Sequence, residues 1–481
     1  MLHYRSTSTH GLLYSAATEP QSGTRSKDST QIRASGLCSN AGRSLDGVGS
    51  QSERGRKPRL VHRQAIVGTT FLFLLIFSGP PKFRIRDPEA SLRGDMDWVV
   101  VLHILVWGLA GAWVLCEVAK RGHLTRVLKR LSLPQKLGLA MILLLAASAV
   151  ISKAPALSAF KIYQMAVCLL FTQLFVQRFG YASCLKNIFW GTALLCGAIV
   201  VCAFLAPDLV WIGSDFNPDP SRLRGDLIAP TGPVSAFAII LLLTGVRKIW
   251  RVLPLTLLSL FLGLLVFSLM RTAYLVILGF FVLVLIKRPN ARSLKGLAYL
   301  AGALALALYA YHWLPNLSEY RDPETISNLS DRIGLWRYLS NITLTQSPWW
   351  GLGYYSSSRI YGPQYNPGLG TAHSMFFEIL LGGGVLSFVL FTAICATLSV
   401  YAVYLLYKNK DRFSFAVATL FLASFILGTM GDEIDSGPVA ICFWYTAAVL
   451  PWIYERSSKR ATHADESRRR LSTKAVALNE R

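Results

Sequence analysis

Long apolar runs, almost free of charge, recur from Ala65 to Tyr454, and they constrain the fold of this chain more than any other feature. A bilayer core offers no water to a bare backbone, so a spanning segment must satisfy its own hydrogen bonds, as an α-helix of about 20 apolar residues does. Twelve segments have this character: Ala65–Gly79, Trp98–Val118, Leu137–Ile151, Phe160–Val176, Ile188–Ala206, Pro230–Val246, Leu253–Met270, Ala273–Ile286, Leu297–Leu314, Ser374–Tyr407, Phe413–Met430 and Val439–Tyr454. Several are shorter than a full span, so their ends can slide by several residues. The tenth is too long for one span, and Gly382-Gly383-Gly384 is expected to divide it into a short helix and a true span. The expected class is all-α, a polytopic membrane protein with about 12 transmembrane helices.

The charges test this count. Only 16% of the chain is charged, against about 25% in soluble domains. The formal net charge of +23 invites a nucleic-acid reading, but the basic residues lie in alternate short loops, which is the signature of the cytoplasmic side. The inner loops are 119–136, 177–187, 247–252, 287–296 and 408–412, and only Asp411 opposes their Lys and Arg residues from 119 to 412. The outer loops carry the acids, among them Asp97, Asp208, Asp226, Asp331 and the cluster Asp432, Glu433 and Asp435. Both termini then fall in the cytoplasm. Residues 1–64 read as a disordered basic tail, too long and polar for the n-region of a signal peptide. Residues 65–454 form the membrane domain, 315–373 its large outer loop between spans nine and ten, and 455–481 a second basic tail. Membrane lipids are the expected partners of the tails, and nucleic acid is not.

Eight cysteines include no CxxC pair and lie, Cys38 apart, in or beside apolar runs. They read as small core residues, with neither a disulfide framework nor a zinc site. No His, Asp or Glu spacing indicates a metal either.

The outer-face arginines are outnumbered by acids, so topology does not explain them. Arg222 and Arg224 lie between spans five and six. Arg271 sits at a hairpin so tight that it must lie at or just below the surface. Arg332 and Arg337 open the large loop and Arg359 lies in its middle. Guanidinium binds phosphate bidentately and keeps its charge. Several arginines converging from separate loops would cradle a diphosphate; the alternative is pairing with a carboxylate such as Asp226 or Asp331, or with lipid headgroups.

Ser330-Asp331 is expected to cap a helix running toward Thr345, with Ile333, Trp336 and Leu339 as its apolar stripe and Arg332 on the face of Trp336. Trp350 and its neighbour Trp349 suit either the interfacial aromatic belt or a sugar-stacking surface. Gly351-Leu352-Gly353 lacks the spacing of a nucleotide loop and reads as a place of close backbone approach or a tight turn. His373 precedes Ser374, a natural N-cap, at the outer end of a helix, where a neutral imidazole could take a proton from a sugar hydroxyl. The alternative is an interfacial histidine bonded to backbone. Asp432, Glu433 and Asp435 could orient His373, pair with the arginines, or form a solvated loop.

These motifs together resemble those of the bacterial O-antigen ligase and Wzy-type polysaccharide polymerase superfamily. The matching features are the Arg271-Thr272-Ala273 hairpin, the loop run from Asp331-Arg332 through Trp336 and Pro348-Trp349-Trp350-Gly351-Leu352-Gly353-Tyr354, and Ala372-His373-Ser374 followed by Glu378 and the glycine triplet. The sequence departs from the family form at Met270, Ser374 and Phe377. The resemblance implies His373, Arg271 and Arg332 as catalytic residues. Arg224, Arg222, Arg337, Trp336, Trp350 and Tyr354 are candidates for substrate binding, and Glu378, Asp432 and Glu433 for supporting roles. It further implies a glycan donor on undecaprenyl diphosphate, an acceptor that is lipid A-core or growing polysaccharide, no cofactor or metal, and the bacterial inner membrane. The competing reading is a lipid-linked glycan flippase or another multispanning transporter. Against it, the polar residues gather on one face and no internal repeat is evident.

Overall fold

A computed structural model describes residues 97–120, 124–212, 222–223, 225, 228–244, 253–287, 302, 331–366, 370–409, 411–431 and 434–479. The N-terminal tail, the first expected span, the ninth apart from Gly302, and residues 315–330 of the large loop lie outside the described residues, as do Arg224, Asp432 and Glu433.

The described chain is helical apart from one short antiparallel pair. In order it forms α1 (Trp98–Lys120), α2 (Leu124–Lys129), α3 (Leu133–Val150), α4 (Pro155–Phe179), α5 (Tyr181–Leu205), α6 (Thr231–Leu243), α7 (Leu253–Ser268), α8 (Arg271–Lys287), α9 (Arg332–Gln346), α10 (Ser356–Tyr365), α11 (Met375–Lys408), α12 (Arg412–Met430) and α13 (Gly437–Asn479). Strands β1 (Trp211–Ile212) and β2 (Arg222–Leu223) pair between α5 and α6, Ile212 opposite Arg222. Among the described residues, seven helices are long and apolar enough to cross a membrane by length and composition: α1, α3, α4, α5, α11, α12 and α13 as far as Lys459. The apolar helices Thr231–Leu243 and Thr256–Ser268 are shorter. The protein is a polytopic membrane protein. The second basic tail, residues 455–479, continues the helix of α13.

Burial sorts the helices. In α6 every residue from Thr231 to Leu241 is buried, so this short helix is apolar all round because it is surrounded. In α13 the residues from Val439 to Leu450 are buried in the same way. α1 instead exposes Leu105, Leu109 and Leu115, as suits a helix whose outer face meets lipid. Polar glue is sparse but present: Gln135 of α3 donates to Gln173 of α4 across 2.8 Å of buried interface. At the far end of α1, Glu117 pairs with Arg178 of α4 and with Lys120.

α11 organises the rest. It lies against α3, α12, α13, α9 and α10. Its helical path breaks at Gly384, where φ is 66° and ψ is −168°. The break falls inside the glycine triplet and divides the expected tenth segment into a short helix and a long one. Beside the short piece, a second small core gathers Leu335, Leu339, Tyr361, Ala372 and Leu381, apart from the main one. This core is where α9 and α10 settle onto α11.

Candidate functional site

The loop between α9 and α10 is fastened to the break in α11 by backbone alone. A kink frees carbonyls and amides from the helix ladder, and buried backbone groups must find other partners. Leu352 N donates to Leu381 O at 2.8 Å, Gly353 N to Gly382 O at 3.1 Å, and Val385 N to Pro348 O at 2.8 Å. The contact is so close that side chains have no room. A Cβ on Gly351, where φ is 73°, would lie 2.5 Å from Gly382 C and O. One on Gly384 would lie 2.4 Å from Trp349 C. The glycine triplet and the Gly351-Leu352-Gly353 run are therefore two halves of one joint, and close backbone approach is what those glycines permit.

A hydroxyl cluster extends the joint to the hairpin between α3 and α4. Ser356 Oγ lies 2.6 Å from both Ser152 Oγ and Ser158 Oγ, and Ser158 Oγ donates to Tyr354 O at 2.9 Å. All three serines are buried, so each hydroxyl must be partnered, and here they partner one another.

Next to it sits an ion pair that the sequence did not announce. Lys161 Nζ is 2.7 Å from Asp435 Oδ2, and the Asp435 carboxylate is wholly buried. Tyr354 donates its hydroxyl to Asp435 Oδ1 at 3.3 Å. Lys161 also lies over the Tyr355 ring, 4.1 Å from its centroid, and Arg359 approaches the same ring at 4.8 Å. One expectation is corrected here. Asp435 is not part of a solvated loop, because it is the buried partner of Lys161. Tyr354, a candidate for substrate binding, is fully buried and donates its hydroxyl to Asp435. Lys161 escaped notice because it lies one residue inside an expected apolar span. A lone lysine at a span end is the signal that could have found it.

α9 begins at Arg332, but not with the expected cap. Asp331 has left-handed backbone (φ 63°) and its side chain makes no cap bond; the carboxylate instead accepts from Tyr365 Oη at 2.8 Å. That bond raises the Tyr365 pKa above its ordinary value, because the neutral phenol is the donor. The apolar stripe is also rotated from expectation. Leu335, Leu339 and Thr343 are buried, whereas Ile333 is exposed. Arg332 donates to the carbonyl of Met430, the last residue of α12, where the helix dipole favours a cation. Arg337 and Trp350 are exposed.

Trp336 stacks on Phe377, with ring centroids 4.8 Å apart and planes at 11°, and its Nε1 donates to Ala372 O at 2.7 Å. Glu378, buried in the first turn of α11, accepts from Ala372 N at 3.2 Å and from Ser358 Oγ at 2.6 Å. His373 follows Ala372 with left-handed backbone (φ 50°). Ser374 occupies the N-cap position of α11 without a side-chain cap bond. The structure thus brings Arg332, Trp336, His373 and Glu378 into one assembly of α9 and α11.

Arg271 is the first residue of α8, separated from the end of α7 by two residues. It is exposed and makes no hydrogen bond or ion pair with the described residues. Its neighbour Met270 packs on Gly232 at the start of α6. Arg222 lies on β2, close before that helix, so the hairpin and the loop carrying Arg222 border the same end of α6. Among the described non-glycine residues, left-handed backbone occurs at Leu269, Asp331, Tyr355 and His373. Each is a candidate residue or lies within four of one, and such strain, of order 1–3 kcal/mol per residue, concentrates at functional sites.

Among the described residues, no three His, Cys, Asp or Glu side chains group as a metal site. No curated protein and no solved structure gives a significant match to the chain. Residues 254–392, from α7 through the break in α11, match the family model described as O-antigen ligase. That stretch holds Arg271, Arg332, Trp336, Trp350, Tyr354, His373 and Glu378 and excludes Arg222, Lys161 and Asp435. Over residues 254–392, then, the chain is similar to the O-antigen ligase family, in the superfamily that the motifs of its hairpin and loop resemble.

Proposed function

We propose that this protein transfers a glycan from undecaprenyl diphosphate to an acceptor sugar hydroxyl at the periplasmic face of the bacterial inner membrane, as an O-antigen ligase or a closely related surface polysaccharide polymerase. The observation that carries the reading is the strained backbone beside each of the proposed catalytic groups: Leu269 before Arg271, Asp331 before Arg332, and His373 itself. Rigid, over-determined positioning is what transition-state stabilisation requires.

In this reading Arg271 and Arg332 bind the diphosphate, with Arg337 at its margin. Exposed Trp350 faces the glycan. His373 takes the proton from the acceptor hydroxyl as its oxygen attacks the anomeric carbon. The bond from that carbon to the diphosphate oxygen breaks, and the lipid diphosphate leaves with the electron pair, its charge held by the guanidiniums. The lipid diphosphate is already an activated leaving group, so the step calls for no cofactor. The acceptor is lipid A-core for a ligase and a second lipid-linked glycan for a polymerase.

The test is His373→Ala and Arg271→Ala, each at normal membrane levels, scored for surface polysaccharide. Removing a general base costs about 10²–10⁴ in rate and removing a group that stabilises developing charge about 10²–10³, so both variants are expected to lose polysaccharide. Full output from both overturns the assignment. In a deletion strain, core lacking O-chain with lipid-linked polymer accumulating marks a ligase, and accumulation of single lipid-linked repeats marks a polymerase.

A further inference from the structure

The two peptide units that flank the Ala372 Cα, the second of which leads into His373, are each gripped by a side chain. Ala372 is fully buried. Its carbonyl accepts from Trp336 Nε1 at 2.7 Å, and its N–H donates to Glu378 Oε2 at 3.2 Å. Neither bond belongs to a helix or a turn. Glu378 is itself anchored, since its other oxygen accepts from Ser358 Oγ of α10 at 2.6 Å. Trp336 is anchored by its stack on Phe377, the residue next to Glu378. One turn before Trp336 on α9 is Arg332.

We propose that Glu378, Trp336 and Ser358 form a clamp on Ala372 that holds His373 in its left-handed backbone conformation and fixes its placement relative to Arg332. This rests on the functional reading above and deepens it. Glu378 and Trp336 are positioning residues: one face of the indole is covered by Phe377 and its N–H is committed to the backbone, while the Glu378 carboxylate is spent on an amide and a hydroxyl. A left-handed histidine has an accessible alternative in the right-handed region. Without the clamp the imidazole would be presented from a relaxed loop, and α9 would lose its polar tie to that loop.

The hydroxyl of Ser358 makes the test discriminating. It also lies 2.9 Å from Tyr355 O. In Glu378→Gln the amide oxygen can accept from Ala372 N, and the amide N–H can donate to Ser358 Oγ, whose proton turns to Tyr355 O. Glu378→Gln therefore keeps both bonds, whereas Glu378→Ala loses them. Trp336→Phe keeps the stack on Phe377 and loses only the bond to Ala372 O.

The experiment pairs hydrogen–deuterium exchange of the full-length protein in nanodiscs with a transfer assay that uses lipid-linked glycan extracted from a deletion strain as donor. In Glu378→Ala and Trp336→Phe, exchange across residues 370–374 is expected to rise about tenfold, while α12 is unchanged. In Glu378→Ala, kcat is expected to fall about a hundredfold at unaltered KM for the donor, since misplacement by an ångström costs that much. Glu378→Gln is expected to recover both. Exchange unchanged in both Glu378→Ala and Trp336→Phe overturns the clamp. Glu378→Gln with protected exchange but transfer as poor as Glu378→Ala overturns the positioning role, because the carboxylate would then act chemically. Altered exchange without transfer by the unaltered protein upholds the clamp and overturns the function proposed above.

Discussion

Replacing Gly384 by alanine drives a methyl group into the backbone of the loop that docks on α11. The added Cβ would meet Trp349 C at 2.4 Å, Trp349 O at 2.5 Å and Gly351 N at 2.7 Å. These are main-chain atoms of the facing segment, so no side chain can swing aside. The backbone at position 384 (φ 66°, ψ −168°) lies in a region essentially reserved for glycine and adds about 1–3 kcal/mol of strain for any residue with a Cβ. Relief requires the loop to lift, which breaks the bonds from Leu352 N, Gly353 N and Val385 N, each worth about 1 kcal/mol. The cost is therefore about 4 kcal/mol, and it is paid by undocking of residues 348–353 rather than by unfolding of the bundle. The assay is limited proteolysis and hydrogen–deuterium exchange of the full-length protein in nanodiscs, read in 348–366 and in α12. Gly197→Ala, where the added Cβ meets nothing within 4 Å, is the control. Exchange in 348–366 that stays the same in Gly384→Ala as in Gly197→Ala would refute the reasoning.

Other perturbations have equally definite expectations. Lys161→Met strands the wholly buried Asp435 carboxylate and is expected to cost about 3–5 kcal/mol. Adding Asp435→Asn, which keeps an acceptor for Tyr354, should restore much of the loss; thermal unfolding in detergent no worse for the single variant than for the double one refutes the pairing. For Tyr365 the raised pKa means the neutral phenol is favoured in the docked loop. Its contribution is complete below the ordinary phenol pKa and is lost as pH rises through the raised value. Proteolysis of the α9–α10 region at alkaline pH should therefore set in earlier for Asp331→Asn than for the unaltered protein, and identical pH profiles contradict the bond. Ser356→Ala removes the hydroxyl shared by Ser152 and Ser158 and should lower stability by about 1–3 kcal/mol through the groups left unpaired, measured by thermal unfolding against Ser340→Ala on α9.

The membrane helices were legible in the sequence because hydrocarbon imposes one requirement on every spanning segment, and local composition records it. The break in α11 was legible for a similar reason: three consecutive glycines weaken a helix wherever they occur. Arg271 at a tight hairpin and His373 just before a helix could be read from position alone. Tertiary structure decided everything that depends on a partner far along the chain. No local pattern pairs Lys161 with Asp435, or sends the hydroxyl of Tyr354 inward, because register between helices is set by packing. The cap expected of Asp331 failed for the same reason: Tyr365 offers its carboxylate a competing donor. Glu378 could be noticed in the sequence, but its task could not, since the residue whose amide it holds, Ala372, is held at its carbonyl by Trp336 from another helix. Sequence thus determined which segments are apolar enough to form membrane helices and which residues could do chemistry. Only the folded chain decided which of those side chains are spent on holding one another, because burial makes every unpartnered polar group costly and so dictates the pairs.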